Sequence, residues 1–549
     1  MKKRLRLLSL TAASLLIAAC ANTSTGDANQ SASDDVAKNI QVTVNGELAS
    51  LDSVSSTDTP SQTTIANVME GLYRPADNGS NELGVAAEEP TVSEDGLVYT
   101  FKIREDANWS NGDPVTAEDF VYTFKKTVNP DTLGGNANKF YMIKNAQSIA
   151  NGEGDVETLG VKAIDDKTLE ITLEQATPYF TDLLAAPYYL PENYSVATEL
   201  GNDYGTSAEN TVYNGPYAVT DWNATEIEWT TSKNEEYWDA ENVDIDQIKW
   251  VMSKENSTNV NLFEGGDLQY TEITTPYVQQ YANSDTLHIE PKGMIGSLEF
   301  NTTRTPTNNT HLHRAISQAF DRQAFVDAIL ADGSIPAGGW IPDSFAANPE
   351  TGEDFRDENG TLTTFDVEAA QEEWALALEE LGTDSLELEL LTSDTDTSKA
   401  TSEFLQAELQ KNLPGLTITV RNVPLKSRQA ITATKDFDIV YGTYTPSYAD
   451  PTAFLDYFVT DSPLSSGDFS DATYDGYIEA AKTTDALDPA ARWEDFLAAE
   501  KYLVQEAAPV VPIYQGAYAS LIDPNLENVI NQPNGVSQYY RAATYEVTE

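Results

Sequence analysis

Between Glu94 and Lys126 the hydrophobic pattern changes period. Leu97, Tyr99, Phe101 and Ile103 alternate with Val98, Thr100, Lys102 and Arg104, the period of two that marks a half-buried strand. Asn111-Gly112 is a turn signal, and Pro114 keeps the next residues extended. Thr116 then stands three residues before Asp119, a capping-box spacing that opens a helix with Phe120, Phe124 and Val128 on one face. Upstream, Ile40, Val42 and Val44 alternate in a strand within Asn39 to Leu51, and SSTDTPSQ leads into a helix expected to carry VMEGLY. Leu169, Ile171 and Leu173 predict another strand. Gly265-Gly266 stops a helix, and Asp267 begins a strand that runs to Glu272.

The second half reads more plainly. Trp374, Leu378 and Leu381 form one helix face, with Gly382 as its stop. LELELL (386–391) is a strand, and the helix after it has Phe404, Leu405 and Leu409 on one side and ends at Pro414-Gly415. LTITV (416–420) is the next strand, and Phe437 to Tyr441 adds another. Strand, helix, strand at this spacing predicts a βαβ unit with parallel pairing and a right-handed crossover, hence an α/β fold.

The amino-terminal region follows other rules. Lys2, Lys3, Arg4 and Arg6 precede a mainly apolar run from Leu7 to Ala19, too short for a permanent membrane span and expected to be an export signal. Ile17-Ala18-Ala19-Cys20 resembles a lipobox, where bacterial lipoproteins are diacylated on Cys and cleaved. Two acyl chains give the stable attachment that one does not. Residues 21–38 hold little to bury and are expected to form a flexible tether.

Composition narrows the chemistry. With 549 residues the chain can build two or three cores. Removing the four basic residues ahead of Cys20 takes the formal charge from −56 to −60, which excludes phosphate-dominated partners and makes a nucleic-acid binder unexpected. This acidity fits a solvated surface, or a salty or alkaline habitat. The single Cys excludes an internal disulfide and a Cys-built zinc site. No nucleophile elbow, Walker A loop, HExxH or GxGxxG is present. His288, His311 and His313 are too few for an evident metal centre; His311 and His313 are read as exposed residues at a helix start. No cofactor or enzyme activity is expected, although a surface hydrolase or adhesin is the rival from another class.

Several blocks resemble the family 5 solute-binding proteins, which include oligopeptide-binding proteins of ABC importers. They are DG-x-x-YTF-x-IR (95–104), W-x-NGDPVTAEDFVY (109–122), NGPY (214–217) with Trp222, YWDAENV (237–243), NLFEGGDL (261–268), LEFNTTRTP (298–306), RAISQAFDR (314–322) and APVVPIY (508–514). The resemblance runs from about residue 40 to the end. It implies a two-lobe periplasmic-binding-protein-like fold of type II, with a hinge. Lobe one would comprise 39–61, 187–290 and 511–549, with 62–186 as an extra subdomain, and lobe two 291–510. The crossings are expected near 288–293 and 510–514.

The resemblance further implies an extracellular monomer, lipid-anchored in the Gram-positive manner, or periplasmic if Gram-negative. It would take oligopeptides between its lobes and deliver them to ABC permease subunits. Ligands in open α/β sheets sit outside the carboxyl ends of strands, here Thr392-Ser393-Asp394 and the loop from Thr443 to Pro451, with Tyr444 and Tyr448. Where oligopeptide binders place an acid against the ligand's α-amino group, matching on PT-x-FL puts Ser447. A hydroxyl cannot neutralise an ammonium. Asp450 could replace it, or could cap its own loop. Glu272, with Thr274 beside it, falls where relatives contact peptide; Thr59 and Ser61 match positions bordering the cleft. Loss of the acid at Ser447 and abundant aromatics leave an oligosaccharide binder as an alternative, and a peptide-pheromone receptor as another. Nickel and haem are poorly supported.

Overall fold

A computed structural model describes residues 37–76, 80–132, 134–446, 448–533, 535, 536 and 538–547. The export signal, Cys20, nearly all of the tether and Ser447 lie outside the described residues.

One eleven-stranded sheet carries the fold. From one edge it runs Tyr217–Asp221, Glu228–Lys233, Gln247–Met252, Asn39–Val44, Tyr270–Glu272, Val510–Ile522, Leu287–Phe300, Ile439–Tyr444, Leu386–Ser393 and Leu416–Val423; Ile335–Pro336 pairs with Val510–Ile522 off this path. Ile40, Val42 and Val44 are buried as their alternation predicts, and their strand pairs parallel with Gln247–Met252. Leu386–Ser393 pairs parallel with both Leu416–Val423 and Ile439–Tyr444, the expected βαβ arrangement. The intervening helix, Asp396–Asn412, buries Leu405 and Leu409. These strands outrun their hydrophobic patterns by two or three residues, because the backbone ladder continues through Thr392-Ser393, Arg421 to Val423 and Gly442 to Tyr444.

Leu287–Phe300 and Val510–Ile522 are long strands joining the halves of the sheet. Residues 287–291 pair with 517–521, and residues 295–299 with 510–515. Between Pro291 and Ile295 the register shifts. The ladder is therefore broken where the chain passes from one half to the other.

The block 62–186 contains a four-stranded sheet of Thr91–Val92, Val98–Lys102, Thr168–Thr172 and Val161–Asp165. The helix Ala117–Val128 buries Phe120 and Phe124. At its start Asp119 accepts from the backbone N–H of Thr116 at 2.8 Å, from that of Tyr194 at 2.8 Å, and from Trp109 Nε1 at 3.2 Å. Its last turn carries Lys126, whose Nζ lies 2.9 Å from Asp52 and 2.8 Å from Glu192. Burial raises the Glu192 carboxyl well above its usual range. The Asp52 carboxyl is lowered, because Lys126 and hydrogen bonds from Glu192 and Ser55 outweigh its burial.

Two expectations are corrected. The helix before the cleft is Thr59–Val68, so VMEGLY lies almost wholly beyond it. Met69 is extended, and Asn214 holds the diverted chain by accepting from the Glu70 N–H at 3.0 Å and donating to the Glu70 carbonyl at 2.8 Å. His313 is buried, not exposed. It stacks on Phe300 at 4.0 Å, its Nε2 lies 2.8 Å from the Thr307 carbonyl, and burial pushes its pKa down to about 4. Asn309 caps this helix and sets residue 313 on the face of Leu312 and Ile316.

Candidate functional site: two cavities beside the strand crossing

The first half of the sheet bears a cavity of about 470 Å3 lined by Thr59, Glu272, Thr274, Lys292, Tyr518 and Gln538 among others. Thr59 is exposed at the first turn of its helix because Asp58 caps that turn, accepting from Ser61 N–H at 2.9 Å. Glu272 ends the strand Tyr270–Glu272, opposite Ser520, and accepts from Gln538 Nε2 at 3.3 Å. Thr274 accepts from Asn256 at 2.8 Å. Lys292 stands in the crossing strand with its ammonium 4.0 Å from the Tyr518 ring centre. Burial lowers the Lys292 pKa, and the Glu272 and Asp332 carboxylates oppose that shift. A carboxylate and an ammonium thus share one cavity, a pairing suited to a ligand bearing both charges.

The second half bears another cavity, of about 420 Å3, lined by Glu299, Trp340, Arg428, Tyr444, Tyr457 and Ser465 among others. Tyr444 is fixed there. Its hydroxyl donates to the Ala453 carbonyl at 2.8 Å, and its ring meets Trp340, Phe454 and Tyr457 at centroid distances of 6.0, 5.4 and 4.9 Å.

Three other candidates stand elsewhere. Ser61 is fully buried, and its hydroxyl accepts from the Ala49 and Ser50 N–H groups at 2.9 and 3.3 Å, so it fixes backbone and lines neither of these cavities. Asp450 is also buried. It accepts from Arg492 through both oxygens, at 2.8 and 2.9 Å, and from the Thr452 N–H and hydroxyl at 3.0 and 2.6 Å. Its loop-capping role is the one realised, since a carboxylate so engaged has no exposed face for a ligand ammonium. Tyr448 stacks on Tyr179 with centroids 5.0 Å apart and rings 3° from parallel. It therefore pins the 443–451 loop to the block at 62–186. Beside that contact burial, with Asp450 and Glu89 adding, pushes the Asp182 carboxyl up to about 6.

Sequence reasoning overlooked Lys292, Arg428, Tyr179 and Gln538. A signal existed for the two cations: basic residues are scarce in this chain, and Lys292 lies inside a predicted crossing.

A profile of the bacterial extracellular solute-binding proteins, family 5, matches residues 83–466. The dipeptide-binding protein of Lactococcus lactis subsp. cremoris is 34% identical over 520 residues, covering 92% of this chain and 94% of the relative. Listeria monocytogenes OppA bound to peptide is 34% identical and superposes with a TM-score of 0.72, covering 93% of this chain and 100% of that one. The unliganded open form of MppA, the periplasmic murein tripeptide binding protein, gives 0.80 at 27% identity, covering 93% and 97%. The higher score at lower identity likens this arrangement to the open form. Matched over more than nine-tenths of its length in sequence and fold, with a broken two-strand crossing between its cavities, the chain belongs to the bacterial extracellular solute-binding proteins, family 5.

Proposed function

We propose that the protein captures oligopeptides between two lobes and delivers them to the permease of an ABC importer, acting as a binding protein and not as an enzyme. Lobe one comprises 39–61, 187–290 and the chain after the return crossing, with 62–186 packed on it; lobe two lies between the crossings. The register shift at 291–295 serves as the hinge on one strand. Residues 515–517 serve on the other, slightly later than 510–514, because 510–515 still pair with lobe two. The observation that carries this reading is the pair of cavities, one on each half of the sheet, beside that crossing. Relatives named for dipeptide and peptide binding support the ligand class. Glu272 and Lys292 are suited to opposite charges of a zwitterionic peptide.

Two-lobe binding proteins close on ligand about such hinges. Small-angle scattering is expected to show a smaller radius of gyration once a binding peptide saturates the protein. An unchanged radius at saturation removes the hinge assignment.

Cys20 is the proposed sole membrane attachment, with the protein held at the outer face of the cell membrane as a monomer. Cys20→Ser should yield soluble protein with unchanged peptide affinity, since Cys20 is not among the described residues that line either cavity. Membrane retention of that variant after fractionation would overturn the anchor.

A further inference from the structure

The block 62–186 also meets lobe two away from the strand crossing. Tyr448, in the loop after Ile439–Tyr444, stacks on Tyr179 and packs against two hydrophobic clusters, one built on Trp109, Phe120 and Tyr189, the other on Trp340, Phe454 and Phe496. The Arg492 guanidinium, held by Asp450, lies 5.6 Å from the centre of the Tyr179 ring. A further point of contact is the turn at Gly96, whose N–H donates to the Ser93 carbonyl at 2.9 Å and whose φ is +69°. Glycine suits that left-handed turn and leaves its surface bare. A Cβ there would stand 2.9 Å from Leu487 Cδ2 and 3.3 Å from the Ala176 Cβ. Leu487 is 58% exposed, yet one of its methyl groups rests on this turn.

Each side of this contact is fixed to its own body. Tyr179 directly precedes Phe180, which is fully buried and meets the Tyr99 ring at a centroid distance of 5.0 Å in the core of the block. Tyr448 is braced from lobe two: its hydroxyl lies 3.3 Å from Thr452 Oγ1, and Asp450 holds both the N–H and the hydroxyl of Thr452. The two bodies meet here through side chains, so this contact can part without breaking a backbone ladder. Parallel rings attract over their overlapping faces, and the attraction is lost once they slide apart by about a ring's width.

We propose that the Tyr179–Tyr448 stack, with Leu487 seated on Gly96, is a latch that holds the two lobes in the present arrangement, which resembles an open form, and that it slips when they close. The proposal rests on the two-lobe binding reading and deepens it. Lobe arrangements of one protein are separated by little free energy, so a single ring pair changes their ratio. A ligand that closes the cleft does so against the latch, and its apparent affinity falls with the fraction of protein ready to close. Tyr179 lines neither cavity, so the block 62–186 sets affinity here without that residue touching the ligand.

The test compares the parent with Tyr179→Ala, Leu487→Ser and, as a control that keeps the stacked ring, Tyr179→Phe. Single-molecule energy transfer reads the lobes without ligand, using dyes on Glu153→Cys in the block and Glu379→Cys in lobe two, both exposed, in a Cys20→Ser chain that has no other cysteine. Tyr179→Ala should raise the population of the closed state roughly two- to tenfold, and Leu487→Ser should shift it the same way. Tyr179→Phe should match the parent. Calorimetry with tetra-alanine should show binding tightened by the same factor in Tyr179→Ala. An unchanged closed population in Tyr179→Ala overturns the latch, whatever the affinity does. Should that variant fail to fold, Leu487→Ser decides, because its side chain is exposed and outside the core. If tetra-alanine binds none of the proteins and the closed population still rises, the latch stands and the fault lies with the peptide reading.

Discussion

Replacing Lys126 by Met should destabilise the protein by about 3–5 kcal/mol at neutral pH and by much less near pH 4. Lys126 is the cation facing two carboxyl groups, Asp52 and Glu192, and the three side chains are 18%, 14% and 1% exposed. Removing it leaves the Asp52 carboxylate without its counter-charge, and the Glu192 carboxyl without a cation beside it, in a site that water barely reaches. In the parent the lowered Asp52 carboxyl contributes stability that is present above its unfolded pKa and is lost as pH falls through its folded one. The raised Glu192 carboxyl behaves oppositely: its contribution is full below its unfolded pKa and is lost as pH rises through its folded value. Without Lys126 both folded pKa values rise, so protonation relieves the penalty as pH drops. Urea unfolding of parent and variant at pH 7.5 and pH 4 measures this. A loss of equal size at both pH values would show that packing of the lysine stem, and not its charge, holds the site. Asp52 lies shortly before the helix whose first residue, Thr59, lines the 470 Å3 cavity.

Asp450→Asn should cost about 3 kcal/mol of stability while leaving recognition of a peptide's amino terminus intact. Its carboxylate is committed to Arg492 and Thr452, and the variant leaves the Arg492 guanidinium buried against a neutral amide. Glu272→Gln should do the reverse. Glu272 lines the cavity, and neutralising it is expected to weaken binding of a free-amine peptide by ~2–5 kcal/mol with little change in unfolding. Acetylating the peptide should cost the parent a comparable amount and the Glu272→Gln variant much less, because both changes remove one interaction. Calorimetry on the four combinations gives the coupling. Should acetylation cost both proteins equally, Glu272 does not contact the amine, and a group elsewhere in the cleft does.

The contrast between Glu272 and Asp450 shows where sequence is informative. Periodicity located the strand at 98–102 and the parallel unit at 386–444, since a buried face repeats along many residues and one wrong position does not hide it. The joining of the half-sheets is not periodic information. Tyr270–Glu272 pairs with residues 520–522, a contact between segments some 250 residues apart, and only resemblance pointed to the crossing. Side-chain roles were harder still. Asp450 in a loop has the same letter whether it meets a ligand or caps its own backbone, and the arginine that decides the matter is 42 residues away. Ser61 matched a cleft-bordering position but lies one helical step too deep, where its hydroxyl serves Ala49 and Ser50.

The placement of Val510–Ile522 also governs the order in which the chain can be assembled. In the sheet this strand lies between Leu287–Phe300 and Tyr270–Glu272, and among the described strands it is the one that pairs with both groups on either side. Until it is synthesised, the earlier strands of this large sheet can form at most two separate pieces, each with one raw edge where the seam will later close. Unpaired edges are templates for pairing with other chains. A nascent protein of this kind is therefore exposed to misassociation until Val510–Ile522 emerges, and arrival of that single strand both joins the lobes and removes two adhesive edges at once.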